Sequence, residues 1–432
     1  MIAWGLESGS RASCAGGPGR NSPPACSRPR LSAAREPDSE PLPLNLAPPL
    51  QERITDLAGD LRARVEPCYN SSVSPMNHAT MPELFRHFPE LRERLPWVPL
   101  AHATPVERLG RLESFLHGGP VWVKRDDKTS RAHAGGKPRE LEFLFGDLLR
   151  RGAPRVLAFG PADSDECLAI TTFARRFGVQ AVLALTRPAS AERAASSLEI
   201  EHALGAELHR LDGGPRALWR LLGSCLARPG AEGSRRPLIA WPRRLALSGA
   251  LGYVNAVYEL QRQINCRILP APERIYVPAR TGAAAAGILL GCQLADLPCT
   301  VVIAPAAGRR SPRPERLAAD AFGALARRSR RIGAAALPIG ALEVRAESAP
   351  RSAPPGSPSH RPEVLLRDLE ALDLDTQFAA SAMAALIEDQ RHGASRGPVL
   401  FWHTRPARQF QRDRSLLPAD LPQEFREFFV SP

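Results

Sequence analysis

From about residue 82 the chain alternates short apolar runs with longer helical-period segments, and this alternation restricts the fold more than any other feature. Pro120–Lys124 (PVWVK), Val156–Phe159, Ala181–Leu185, Arg274–Pro278 (RIYVP) and Thr300–Ile303 read as strands. Arg139–Arg151, Glu166–Phe177, Ala191–Leu204 and Gly282–Leu294 read as helices, with Gly178 and Gly205 placed where two of them stop. Buried strands that recur between helices belong in parallel sheets covered by helices. The pattern decays between Arg309 and Pro362, where Ser348–Arg361 (SAPRSAPPGSPSHR) has the composition of a loop. Order returns with Pro362–Leu372, a helix over Ser381–His392 and a last strand over Pro398–His403 (PVLFWH). The expected class is α/β with mainly parallel sheets, and no internal repeat is visible.

Residues 1–50 hold 9 Pro, 5 Gly and 7 Ser and show no apolar period. Such a segment buries too little apolar surface to offset the entropy of ordering it. We read residues 1–80 as a disordered extension, or as a start placed too early, since Met76 and Met81 are the only methionines between Met1 and Met383. The folded region is then 81–432. No stretch reaches the roughly 18–20 uncharged apolar residues of a membrane helix. The eight cysteines, at 14, 26, 68, 167, 225, 266, 292 and 299, form no CxxC or Cys/His cluster. That spacing excludes a zinc site and a disulfide scaffold and reads as reduced cytoplasmic thiols.

The formal net charge is +12, and the densest basic stretch, Arg309–Arg331, reads as a solvated helix face rather than a nucleic-acid surface. The kind of basic residue says more than the charge. Of 57 basic residues, only 124, 128 and 137 are lysine; the others are arginine. A guanidinium stays protonated and cannot form an imine, so a chain that has nearly eliminated lysine keeps it where an amine is needed. All three lie within VWVKRDDKTSRAHAGGKPRELEF, residues 121–143. Lys137 follows a Gly-Gly turn and opens a helix, where backbone N–H groups and the dipole lower an amine's pKa and favour an anionic cofactor. The plainer reading is a surface lysine in a first turn. Nearby, His133 reads as an exposed loop histidine and Cys167 as a packing residue. Asp126 and Asp127 read as caps for backbone N–H groups.

The WVKRDD and AGGKPRELEF segments resemble the "WxKRDD…GGNKxRKLEF" stretch of the pyridoxal-phosphate enzymes that include 1-aminocyclopropane-1-carboxylate deaminase and D-cysteine desulfhydrase. LAFGPADSDE (157–166), LSGALGYVNAVYE (247–259), IYVPARTGAAAAGILLG (275–291), 371–386 and VLFWHT (399–404) resemble further blocks of that family in order and spacing. The resemblance covers about residues 86–410. It implies a fold-type II enzyme with two three-layer αβα domains, the smaller around 128–245 and the larger formed by the rest, and a homodimer. It implies pyridoxal 5'-phosphate held as a Schiff base on Lys137, with Ser164 binding the substrate carboxylate or relaying a proton. Thr281, Gly282, Ala283 and Ala284 fall on the phosphate loop, Asp165 and Phe378 beside the cofactor ring, and Thr404 at its nitrogen. The substrate would be a small amino acid, broken down to a keto acid and ammonia.

The departures are specific. Asp165 replaces an Asn that supports the ring hydroxyl, and an ionised carboxylate would repel a phenolate-like oxygen. Arg280-Thr281-Gly282-Ala283-Ala284 replaces a GSGGT loop, so two of three glycines and a hydroxyl are gone, with Arg280 offering charge in exchange. Phe378 replaces a tyrosine, keeping ring stacking without a hydroxyl, and the run 348–361 replaces a Gly-Tyr-Gly-type loop. HTRP replaces the closing HTGG. Two readings stand beside each other: a lyase or deaminase of small amino acids, and a catalytically impaired relative that acts by binding or regulation.

Overall fold

The computed structural model of the protein describes residues 81–211, 214–227, 236–278, 280–305, 313–334, 341–345, 361–376, 378–404 and 421–429. The expected extension 1–80, nearly all of the Pro/Ser-rich run and the last two residues of HTRP lie outside the described residues. The strands are β1 (Val106–Arg108), β2 (Val121–Lys124), β3 (Arg155–Pro161), β4 (Gln180–Thr186), β5 (Glu207–Arg210), β6 (Leu238–Ile239), β7 (Arg274–Pro278), β8 (Thr300–Ala304), β9 (Leu342–Val344) and β10 (Val399–Trp402). The described helices of eight residues or more are α1 (Lys137–Arg151), α2 (Asp165–Arg176), α3 (Ala191–Ala203), α4 (Gly214–Ala227), α5 (Pro242–Asn265), α6 (Ala283–Leu294), α7 (Pro314–Ala326), α8 (Pro362–Glu370) and α9 (Phe378–Arg391). The expected elements are present with ends moved by a few residues. The short strands β1, β5, β6 and β9 escape the pattern because two to four residues carry too little periodicity.

Two sheets result. One has the order β1-β2-β10-β7-β8-β9, with only β1 antiparallel to its neighbour; the other is parallel with the order β5-β4-β3-β6. Each is covered on both faces, because alternate side chains of a strand enter opposite layers. Ile275 and Val277 of β7 enter a core with α5 and α6, while Tyr276 enters another with α8 and α9. In the second sheet Ala181 and Leu183 face α1, α2 and α3, and Val182 and Ala184 face α4. The architecture is therefore α/β with two three-layer units, and mainly parallel strands.

Helix α5 is the spine between the layers. A Cβ at Gly252 would lie 1.9 Å from the Arg139 carbonyl oxygen of α1, and one at Gly287 of α6 would lie 2.2 Å from the Ala250 carbonyl. Only hydrogen at these positions lets the three backbones touch. Helix α6 is buried on every side through its first ten residues, as its Ala- and Leu-rich sequence requires. In the basic stretch, α7 buries Ala318, Ala321 and Leu325 and leaves Arg316 exposed. Among the described residues, no helix is long and apolar enough to cross a membrane, and Cys167, Cys266, Cys292 and Cys299 are in no disulfide.

Candidate active site

The site forms where the carboxyl ends of several parallel strands meet, the usual position for a ligand in such sheets. The chain leaving β2 turns through residues 125–136 into α1, and the first residue of that helix is Lys137. From β10 it passes through His403 to Thr404, whose carbonyl accepts a hydrogen bond from the Gly136 N–H at 3.0 Å. Past β7 come Arg280, Thr281 and Gly282, which open α6. The second sheet contributes β3, which leads to Ser164 and Asp165 at the start of α2.

Lys137 is not a surface lysine: its side chain is 5% exposed. Nζ lies 2.5 Å from Glu140 Oε2, one turn along α1, and 3.1 Å from Glu166 Oε2 on α2. Burial pulls the amine's pKa down and Arg280 adds to that, but the two carboxylates outweigh both and hold it above its ordinary value. The expected lowering by the helix N-terminus is thus reversed, because the dipole end is met by two full negative charges.

Asp165 is ionised well below the usual carboxylate range. Burial opposes this and is overcome by His133, Arg280 and Lys137. His133 Nε2 stands 3.2 Å from Asp165 Oδ1. The histidine is 2% exposed, not the exposed loop residue expected, because the turn before α1 folds inward against Phe173. Asp165, which would repel an oxygen anion alone, is therefore paired with a ring that can carry the opposite charge.

The other expected residues are placed as follows. Ser164 caps α2, its hydroxyl oxygen accepting from Cys167 N–H at 3.3 Å, so its own proton is free to be donated elsewhere. Thr281 Oγ1 accepts from Ala283 N–H at 3.4 Å. Gly282 has φ 78°, a left-handed conformation that suits glycine, and Ala283 and Ala284 form the buried first turn of α6. That turn stands beside Glu140: Ala283 Cβ and Glu140 Cγ lie 3.0 and 3.1 Å from a Cβ built on Gly249. Phe378 is the first residue of α9, whose N–H groups at 378 and 379 bond the Asp375 carboxylate at 2.6 and 3.0 Å. Cys167 is buried packing as expected, its thiol pushed up by burial.

Asp126 and Asp127 do not cap backbone. Asp126 accepts from Arg139 Nε and Nη2 at 2.8 Å each, Trp402 Nε1 at 2.6 Å and Thr104 Oγ1 at 2.7 Å. Asp127 is bound by Arg125 at 2.8 and 2.7 Å. Glu259 of α5 joins Lys124 to Arg139, completing a buried network that ties β2 and β10 to α1 and so fixes the first turn carrying Lys137.

Sequence reasoning missed Glu140, Glu166 and Tyr253, and set His133 aside as exposed. Tyr253 is fully buried and its hydroxyl has no hydrogen-bond partner among the described residues; it lies 2.4 Å from a Cβ built on Gly136. Burial raises its pKa well above the usual value. Glu140 had a signal, since it falls where the resembling stretch carries lysine, a reversed charge three residues from Lys137. The approach of Glu166 from 29 positions away had none.

These residues fit a cofactor with an aldehyde and a phosphate: a buried amine, an orphaned hydroxyl beside it, and a helix N-terminus opened by a left-handed glycine with a guanidinium at its side. The comparisons with known proteins agree. The family described as pyridoxal-phosphate dependent enzyme matches residues 99–349. A D-cysteine desulfhydrase from Yersinia pestis is 29% identical over 334 residues, covering 73% of this chain and 96% of that relative. A putative 1-aminocyclopropane-1-carboxylate deaminase from Pyrococcus horikoshii is 28% identical over 217 residues, 50% of this chain and 62% of the relative. The crystal structure of an ACC deaminase homologue superposes with a TM-score of 0.57 at 23% identity, covering 76% of this chain and 95% of that one.

Proposed function

Because the chain belongs to the family of pyridoxal-phosphate dependent enzymes, we propose that it is a lyase or deaminase that releases ammonia and a keto acid from a small amino acid. One observation carries the reading: the buried amine of Lys137 stands at the convergence of the strand ends, beside the first turn of α6. Pyridoxal phosphate supplies an electron-accepting ring and an aldehyde. Lys137 Nζ would hold the aldehyde, and the same nitrogen would move a proton to and from the substrate. Backbone N–H groups of Gly282, Ala283 and Ala284, the Thr281 hydroxyl and the Arg280 guanidinium receive the phosphate. Ser164 donates its free proton to the substrate carboxylate. The Asp165–His133 pair would serve the ring hydroxyl with His133 as the donor, and Thr404 would serve the ring nitrogen. The four-stranded sheet is the smaller subdomain in this reading, and the assembly a cytoplasmic homodimer.

The ion-paired state of Lys137 favours a second reading, an impaired relative that binds a ligand or partner without turnover. Absorbance of the purified protein with added pyridoxal phosphate, beside Lys137→Ala, separates them. A visible band lost in the variant, followed by keto-acid release from a small amino acid, supports the enzyme. A protein that stays spectrally silent at saturating cofactor refutes it.

A further inference from the structure

Lys137 is held by two carboxylates from different helices, and that arrangement bears on how the amine becomes reactive. Glu140 reaches it from the same helix turn and Glu166 from α2, with side chains 15% and 22% exposed, so neither charge is well screened by water. The other groups facing Lys137 are Asp165 on α2 with its partner His133, Arg280 before α6, the neutral Tyr253 hydroxyl on α5 and the neutral Cys167 thiol. Among the described residues Arg280 opposes the ammonium, whereas the carboxylates of Glu140, Glu166 and Asp165 favour it.

We infer that Glu140 and Glu166 are positioning residues that clamp Lys137 as a doubly paired ammonium, so that the cofactor attaches only when the amine leaves both carboxylates and gives up a proton. The inference rests on the reading that Lys137 holds pyridoxal phosphate. The step balances: the ammonium gives one proton to a solvent base and the neutral nitrogen bonds the aldehyde carbon. Its two remaining hydrogens leave with the carbonyl oxygen as water. The clamp makes cofactor loading depend on pH: loading is suppressed where the ammonium pair is intact and rises with alkalinity. Each carboxylate removed moves that rise to lower pH.

The test needs no cofactor at first. With three lysines in the sequence, labelling by a small amine-specific reagent, read by peptide mass spectrometry from pH 6 to 11, resolves Lys137 from half-exposed Lys128 as internal reference. In the unaltered chain Lys137 is expected to reach half-labelling at higher pH than Lys128. Glu140→Gln and Glu166→Gln are each expected to raise its labelling near pH 8 by about tenfold, since an opposite charge at this range shifts a pKa by about a unit or more. If Lys137 titrates at or below Lys128 in the unaltered chain, or if neither variant moves its profile, the clamp is wrong. The first of those outcomes stands even where a variant does not fold. Borohydride trapping of pyridoxal phosphate on Lys137 is expected to follow the same displacement. Displaced labelling with no trapped cofactor at any pH would leave the clamp intact and overturn the cofactor reading instead.

Discussion

Replacing Glu259 with glutamine is the sharpest test of what holds Lys137 in place. Glu259 accepts hydrogen bonds from Thr104 N–H at 2.8 Å and Arg139 Nη1 at 3.0 Å, and from Lys124 Nζ. Two cations, Lys124 and Arg139, are balanced by two carboxylates, Asp126 and Glu259; the cationic side chains are 0% and 2% exposed. Glutamine keeps the volume and removes one charge, leaving a net positive charge with no water to screen it. Breaking a buried pair from one side costs about 3–5 kcal/mol, a large part of the roughly 5–15 kcal/mol that holds a folded domain. The carboxyl is held down at about 2: burial opposes ionisation, and Arg139 and Lys124 more than compensate. A folded value below the ordinary 4.5 contributes stability that is complete above that pH and lost as pH falls towards 2. Urea denaturation followed by circular dichroism between pH 3 and 8 measures both effects. Expected are a loss of about 3 kcal/mol or more near neutrality and a flatter acid limb in the variant. Adding Lys124→Met should recover part of the loss by restoring charge balance around the Arg139–Asp126 pair. A loss below about 1 kcal/mol with an unaltered acid limb would show that the network is not what anchors α1.

Four other outcomes follow from particular contacts. Tyr253→Phe removes a buried hydroxyl with no hydrogen-bond partner among the described residues; thermal stability should hold or rise by up to about 1 kcal/mol, while affinity for pyridoxal phosphate falls if that hydroxyl serves the ligand. Glu142, accepting from Leu100 and Ala101 N–H at 3.3 and 3.2 Å, is pushed up to about 7 by burial. Its contribution is complete below about pH 4.5 and lost as pH rises through 7, so Glu142→Gln should flatten the melting temperature across that window. Ser164→Ala loses the cap of α2 and should cost about 1 kcal/mol by denaturant titration; unchanged stability would free the hydroxyl from any structural duty. Gly252→Ala drives a methyl to 1.9 Å from the Arg139 carbonyl and should cost more than the ~1–3 kcal/mol of ordinary overpacking, because backbone must move; near-normal melting would refute the three-helix contact.

The strands, most helices and the position of Lys137 were legible from the residues because each is a local matter. Period-2 and period-3.6 apolar patterns, helix-stopping glycines such as Gly178 and Gly205, and a lysine kept amid arginines all act within a few positions of themselves. The α/β class follows from their order along the chain, and the two-unit fold and the family from the resemblance carried by segments such as WVKRDD and AGGKPRELEF. What surrounds Lys137 was settled by tertiary structure. Glu166 reaches the amine only because α2 follows β3 in one sheet while α1 follows β2 in the other, and the loops at their carboxyl ends are packed together. The inward turn of His133 onto Asp165, and the conversion of Asp126 from an expected cap into an acceptor for Arg139 and Trp402, depend on the same packing. Charge interactions fall off with distance and strengthen where water is excluded. Neither distance between helices nor exclusion of water is written in residue order, so the sequence by itself determined which amine the site is built around, and the fold alone determined that it is a clamped one.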